Sequence, residues 1–490
     1  MNPSPSPSLE ALGIEALAHH RAGRLDEARA IYERIIELDP SQPSALDLLG
    51  MIHHQQGRQE QAADFVQRAI AAAPTVAGFY HHLGVIRMKQ RQCADAEKSF
   101  RRAMELGMAG HVESLNNLGL ALQGQGRVDE AIEQFQRTIE LHPTHPAARN
   151  NLGNAWRVKK MNDQAIAAYR QAVALQNDYY RAWVSLGTVL FEVGDLAGAE
   201  EACRRAIALR PDLLDPRLTL AGALEHTGRK AEAINQVREA DRLMASGSVR
   251  GTMPASELKF RLAALSGEPE ELGKFPVAPP DYVSHLYDTF AHVFDEHLVQ
   301  KLHYRAPQLL YDAVAKAGIN QRGPLDIVDL GCGTGLCAPL FAPLARSLIG
   351  VDLSSRMIEG ARARGLYQEL FTAELLGFLQ ERDNEFDLAI GGDVFEYFGD
   401  LSGVFECAAR ALRPGGVLAF TTEALSSSTR GEAGYTLLPT MRYAHSSAYV
   451  RSLLPAAGLR ELSIGEGVLR IEQEKDVNGL IVLLEKPADA

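Results

Sequence analysis

Three glycines alternate with other residues in Gly331-Cys332-Gly333-Thr334-Gly335, directly after the apolar run Leu325 to Leu330 and ahead of a helical pattern that starts at Leu336. Glycines so placed keep Cβ atoms off a ligand and accept φ angles that other residues resist, so an adenosyl or a dinucleotide cofactor could lie against bare backbone. Spacing separates the two. A dinucleotide fingerprint, G-x-G-x-x-G, carries its last glycine three residues on to admit a pyrophosphate at a helix N-terminus, whereas position 336 is Leu. No Gly-Lys-Ser/Thr phosphate loop follows. A second buried run, Ser347 to Val351, ends in Asp352, whose carboxylate can accept from both ribose hydroxyls or, in the alternative, cap a helix. A further run from Phe386 ends in Gly391-Gly392-Asp393-Val394-Phe395-Glu396-Tyr397, at the carboxyl end of a strand, where open α/β sheets bind ligands. Phe395 and Tyr397 either join that chemistry or line its wall.

The elements that position these residues occupy only the second half of a chain of 490 residues, too long for one continuous core. The first half repeats. Gly50, Gly84, Gly119, Gly153 and Gly187 each follow Leu at intervals of 34 or 35 residues. Ala28, Ala62, Ala96, Ala131, Ala165, Ala199 and Ala233 form a second series, and Tyr32, Val66, Phe100, Phe135, Tyr169, Cys203 and Val237 follow four residues later on the same helical face. Pro40, Pro74, Pro143 and Pro211 close several units. The pattern resembles the tetratricopeptide repeat, in seven units over 9–244, with Ala16 and Ala221 replacing the glycine at the ends. Such an array stacks into a superhelix with a concave face, on which a protein or peptide partner is expected. Asn117 and Asn151, just before Leu-Gly, match asparagines that often pair with a peptide backbone in this family; they also simply follow its consensus.

Composition bounds the rest. Hydrophobic residues at 46% and charged residues at 23% are ordinary globular values, and no long apolar run offers a membrane span. A net charge of −12 disfavours nucleic acid as a partner. The five cysteines, Cys93, Cys203, Cys332, Cys337 and Cys407, contain no CxxC pair, so neither a disulfide framework nor a metal site is expected. A Pro/Ser tail over 1–8 has no basic or apolar signal region, which leaves the cytoplasm as the expected location. Past Met244 the rhythm stops, and Ser246, Ser248, Gly251, Pro254, Gly267 and Pro276 mark a junction over 245–280 that holds a short amphipathic helix around Ser256 to Leu265.

Residues 281–486 resemble a class I, Rossmann-like methyltransferase domain. More narrowly, the segments from Tyr287 through Phe290 and Phe294 to Leu298, and from Leu302 through Tyr304 and Arg305 to Leu310, resemble methyltransferases fused to tetratricopeptide repeats, relatives of the Williams-Beuren-region methyltransferase. The fold class expected is therefore an all-α tetratricopeptide superhelix followed by an α/β domain. The resemblance implies S-adenosyl-L-methionine as cofactor, with Gly331, Cys332, Gly333 and Gly335 around its methionine part. It further implies Asp352 on the ribose, Leu353 and Met357 beside the adenine, and Glu374 where relatives carry Asp for the adenine amino group. Asp393 then stands beside the methionine moiety, and Arg305 either pairs with the cofactor carboxylate or caps a surface. The turn Leu412 to Gly416, the strand Val417 to Thr421 and a hairpin around Gly467 to Glu472 and Leu480 to Leu484 resemble the end of the fold.

Methyl transfer from a sulfonium is an in-line displacement that depends mainly on alignment. An acceptor that carries a proton needs a base, and His445, His297, Glu396 and Tyr397 are the candidates; nothing in the sequence selects among them. His445 is alternatively structural. Tyr287, Phe290 and Phe294, on an amphipathic helix, are expected in a lid or its supporting core. The acceptor is a small molecule or a protein. In the competing reading the chain is a scaffold or sensor that binds cofactor without turnover.

Overall fold

The computed structural model describes residues 8–247, 253–425, 434–472 and 474–488. Of the expected tail, residues 1–7 lie outside these, as do Ser248 and Gly251 of the expected junction. Ser8 starts the first helix, accepting the Ala11 N–H at 3.2 Å. Contacts divide the chain into two units, 1–227 and 228–490. No helix among the described residues is long and apolar enough to cross a membrane.

The first unit is a series of helix pairs, from Leu9–Arg21 with Leu25–Leu38 through Tyr180–Glu192 with Leu196–Leu209, then Asp215–His226. The three sequence series meet in each pair. A Cβ placed on the Leu-Gly glycine would stand 2.7 Å from Val66 at Gly50, 2.6 Å from Phe100 at Gly84, 2.5 Å from Phe135 at Gly119 and 2.5 Å from Tyr169 at Gly153. The glycines are therefore the sockets for the bulky series, and the alanines are buried beside them. The single 35-residue interval, Gly84 to Gly119, has a local cause: Cys93–Ala103 runs on into a π-turn, Met104–Met108, whose Gly107 sits at φ 117°. Of the two asparagines expected on the concave face, Asn151 donates its amide to Asn116 Oδ1 of the preceding repeat at 2.9 Å.

The second unit opens with Lys230–Ala245, the helix that the alanine register assigns to the seventh repeat. It packs against Ala255–Ser266, whose Phe260, Ala263 and Ala264 are buried in one cluster with strand residues such as Val328 and Phe420. The short helix read from sequence thus belongs to the α/β core.

Among the described residues, nine strands form one sheet: β1 Leu325–Leu330, β2 Ala345–Asp352, β3 Glu369–Thr372, β4 Phe386–Gly391, β5 Leu412–Ala424, β6 Tyr435–Leu437, β7 Tyr443–His445, β8 Arg460–Glu472 and β9 Lys475–Glu485. The main order is β3-β2-β1-β4-β5-β7-β6, and the hairpin β8-β9 attaches through β9 antiparallel to β5. From β3 to β5 all pairs are parallel, so those carboxyl ends share one edge. The order reverses at β1, with β2 on one side and β4 on the other, which opens a crevice above β1. Two helical expectations are shortened. The pattern after the glycine loop yields only Ala338–Phe341, and the helix Pro280–Phe290 ends before Phe294, which sits on a separate turn, Phe294–Glu296.

Filling one repeat socket tests this packing. Gly119→Ala is expected to lower the midpoint of urea unfolding followed by helix circular dichroism, at a cost of about 1–3 kcal/mol from overpacking against Phe135. Gly78→Ala, helical with nothing within 4 Å of the new methyl, should leave it unchanged or raise it.

Candidate functional site

The three strand ends at the crevice carry the residues singled out by spacing. Gly331, Gly333 and Gly335 all adopt left-handed φ, at 65°, 54° and 87°, which makes the loop hug the end of β1. A side chain at Gly331 would stand 2.5 Å from Val394, while Gly333 has only the Phe294 ring near it, at 3.5 Å. At the end of β2, Asp352 accepts the Gly333 N–H at 2.9 Å and the Ser354 N–H at 2.8 Å, one on each oxygen. Burial holds its carboxyl above the usual range, opposed by those N–H groups. At the end of β4, Asp393 sits at φ 53°, exchanges two hydrogen bonds of 2.9 Å with Thr421 of β5, and accepts from Arg470 of β8 at 2.7 Å.

A cleft of about 1070 Å³ of space, part of it open to solvent, joins these strand ends. Gly331, Gly333, Asp352, Leu353, Glu374, Asp393, Glu396 and Tyr397 all line it. The structure brings these expected residues together. Glu374 also caps Leu375–Gln380, accepting the Gly377 N–H at 2.8 Å. His297 lines only a neighbouring cavity, and five others lie elsewhere. The Cys332 side chain packs under the loop with Ile358 and Ala361, and burial pushes its thiol well up. The space beside Gly335 is taken by Tyr367, 2.9 Å from a would-be Cβ. Met357 is buried in the helix Ser355–Arg364. Arg305 is exposed ahead of Ala306–Lys316, with its N–H on Leu469 O at 2.8 Å. His445 is fully enclosed. Its Nε2 can only donate to Gly399 O, at 3.1 Å, so Nδ1 accepts from the Thr422 hydroxyl at 2.7 Å, and burial pulls its pKa down to about 4. A neutral ring with both nitrogens committed has no capacity for proton transfer.

Over the cleft lie Pro280–Phe290 and the turn that follows. Asp295 of that turn accepts from Thr334 of the glycine loop and from Arg364, which also donates to Thr334 O at 2.6 Å. Asp288 accepts from Ser354 at 2.5 Å. The Tyr287 and Tyr397 hydroxyls meet at 2.9 Å, and burial keeps both phenols protonated. Beyond this pair a second cavity opens, sharing Tyr287, Phe294, Tyr397, Arg442 and Glu472 with the first; His297 lines it.

Reasoning from motifs missed the charged floor. Arg470 of β8 donates to Asp393, to Glu423 of β5 and to Glu472 at 2.7 Å, and stands 3.4 Å from Glu396. Arg442, ahead of β7, donates to Glu423 at 2.7 Å and to both oxygens of Glu472 at 2.6 and 2.8 Å. Two guanidinium groups face four carboxylates. Burial, only partly opposed by Arg470, pushes Glu396 up to about 8. The available signal was Arg470 and Glu472 alternating with Leu469 and Ile471 along a strand, where inward charge has to be paired.

Within β1, Asp329 accepts from Tyr367 at 2.7 Å, and burial pushes it up to about 7. A carboxyl whose folded pKa exceeds its unfolded value keeps a proton that the unfolded chain releases, so stability is lost as pH rises toward the folded pKa. The melting temperature of the second unit should fall from about pH 5 to about pH 8 through these two groups. Glu396→Gln and Asp329→Asn are each expected to flatten that slope in melts followed across this range; parallel slopes in wild type and variants would contradict the assignment.

Comparison with known proteins agrees with this geometry. Residues 328–420 match a methyltransferase-domain family, and 15–77, 75–143, 116–179 and 160–213 match tetratricopeptide-repeat families. Methyltransferase-like protein 27 of Homo sapiens is 35% identical over 184 residues, 36% of this chain and 68% of that protein. A malonyl-[acyl-carrier protein] O-methyltransferase of Acetivibrio thermocellus is 32% identical over 145 residues, 26% of this chain and 50% of its own length. A ubiquinone biosynthesis O-methyltransferase of Chelativorans sp. is 34% identical over 101 residues, 20% of this chain and 40% of its own. The chain thus spans half or less of the last two relatives. With glycine loop, Asp352 and Asp393 gathered at the reversal of a Rossmann-like sheet, the chain belongs to the methyltransferase family of methyltransferase-like protein 27, its domain preceded by tetratricopeptide repeats.

Proposed function

We propose that the second unit transfers a methyl group from S-adenosyl-L-methionine to an acceptor and that the repeats hold a protein or peptide partner. One observation carries the cofactor reading: bare backbone at Gly331 and Gly333, the Asp352 carboxylate and the acids of the Asp393 loop face one continuous cleft. The donor set fits the cofactor's chemistry. Asp352 retains lone pairs for two ribose hydroxyls, Leu353 supplies an apolar edge for the adenine, and Glu374 can accept from its amino group. Asp393 is the acid for the ammonium of the methionine part. When bound, the cofactor supplies an electrophilic methyl on a positively charged sulfur.

The chain's own residues then align the acceptor and exclude water. Tyr287, Phe294 and Tyr397 separate the cleft from the second cavity, which is the approach for an acceptor. Glu396, buried at the cleft floor with a raised pKa, is the base for an acceptor that carries a proton, and His297 stands farther out. Tyr397 shares its hydroxyl with Tyr287 and positions rather than abstracts. On the repeats, Asn117 and Asn151 are the partner-binding amides; Asn151 donates one hydrogen bond to Asn116 Oδ1, which engages only one of its two N–H groups.

Calorimetry with S-adenosylmethionine and S-adenosylhomocysteine tests the cofactor reading. Wild type should bind both, and Asp352→Ala should weaken both by about tenfold or more through loss of charged hydrogen bonds. Absence of heat with wild type would end it.

A further inference from the structure

The cleft is unevenly charged. Among the described residues, Asp352, Glu374, Asp393, Glu396 and Glu472 line it, against two cationic side chains, Arg442 and Arg470. These cations offset only part of that excess: counting Glu423, which both of them also hold, six carboxylates stand against two guanidinium charges. Unbalanced negative charge in a desolvated site is costly, and a bound cation relieves the cost. On the reading proposed above, the donor and its product differ at the sulfur: the sulfonium is positive, and the thioether left after transfer is neutral. A floor of this composition distinguishes the two by charge alone, without touching the departing methyl.

We infer that Glu396, acting with Asp393 beside it, is a specificity-determining residue that makes the cleft prefer the cationic sulfonium donor over its neutral thioether product, so that the product is shed. Glu396 is the member of the cluster whose charge is adjustable. It is buried, its nearest cation is 3.4 Å away, and burial sets its titration near pH 8. Facing it are Arg470 of β8, Arg442 ahead of β7, Asp393 of its own loop and Glu423 of β5. From the elements packed above come the phenols of Tyr282, Tyr287 and Tyr304. All three tyrosines stay neutral where Glu396 ionises, because burial raises each of them. The donor's advantage over the product therefore grows as pH rises through the Glu396 titration.

The test is a binding measurement on the full chain, wild type and Glu396→Gln, at about pH 6.5 and about pH 9. The ratio of the product's Kd to the donor's Kd should rise between the two pH values by about fivefold more in wild type than in Glu396→Gln, where the floor cannot gain the charge. Titration of the ligands' own ammonium is common to both proteins and cancels. A second pair removes it altogether and needs wild type only: 5′-methylthioadenosine and its S-methyl sulfonium, which lack the amino-acid part. The sulfonium should gain about fivefold over the thioether across the same range. Equal pH dependence in wild type and Glu396→Gln, or a flat ratio for the truncated pair, would overturn the inference while leaving cofactor binding intact. Failure of wild type to bind any of these ligands would instead remove the reading on which it rests.

Discussion

The Arg470 guanidinium is the point on which the α/β unit's functional edge depends. It lies inside the protein, 2% exposed, and reaches Asp393, Glu396, Glu423 and Glu472 from near the carboxyl end of β8. Removing one partner from a buried ion cluster leaves uncompensated charge, so each element that brings a member is held to its place. The closing hairpin is antiparallel to β5, which sets Arg470 beside Glu423; β5 in turn holds the Asp393 loop through Thr421. The loop's strained φ at Asp393 is tolerated because its carboxylate is tied at both oxygens.

The glycine-loop end of the cleft follows from a different constraint, the absence of side chains. Gly331 and Gly333 take φ values that carry the backbone back over β1, and the Gly333 N–H is spent on Asp352. The acid is thereby oriented before any ligand arrives. Asp295 and Asp288 then fasten the overlying segment to Thr334, Arg364 and Ser354. Loop, acid and cover are thus one hydrogen-bonded assembly.

What was legible in the sequence is what local spacing encodes. The glycine loop, Asp352 and Asp393 announce themselves because each ends an apolar run, and the repeats do so because a glycine socket and a ring recur in register. Residues joined only by tertiary structure did not. Glu423, Arg442, Arg470 and Glu472 come from three separate segments, and nothing local marks them as partners. His445 drew attention by residue type and by its segment, yet burial gives both its nitrogens to Thr422 and Gly399. Cys332 and Gly335 stand in the motif but serve the loop's packing: the Cys332 side chain packs with Ile358 and Ala361, and Tyr367 fills the space beside Gly335. Helix lengths were overread after Gly335 and at Phe294, where apolar spacing continues past the point at which the backbone turns.

The central claim is that this cleft carries a methyl group to an acceptor. Full-length protein incubated with methyl-labelled S-adenosylmethionine and a fractionated cell extract tests it most directly. Label should move from the cofactor into a discrete acceptor fraction with wild type and stay on the cofactor with Asp352→Ala. Cofactor binding without label transfer into any fraction, protein or small-molecule, would contradict the account and leave a protein that binds the donor without using it.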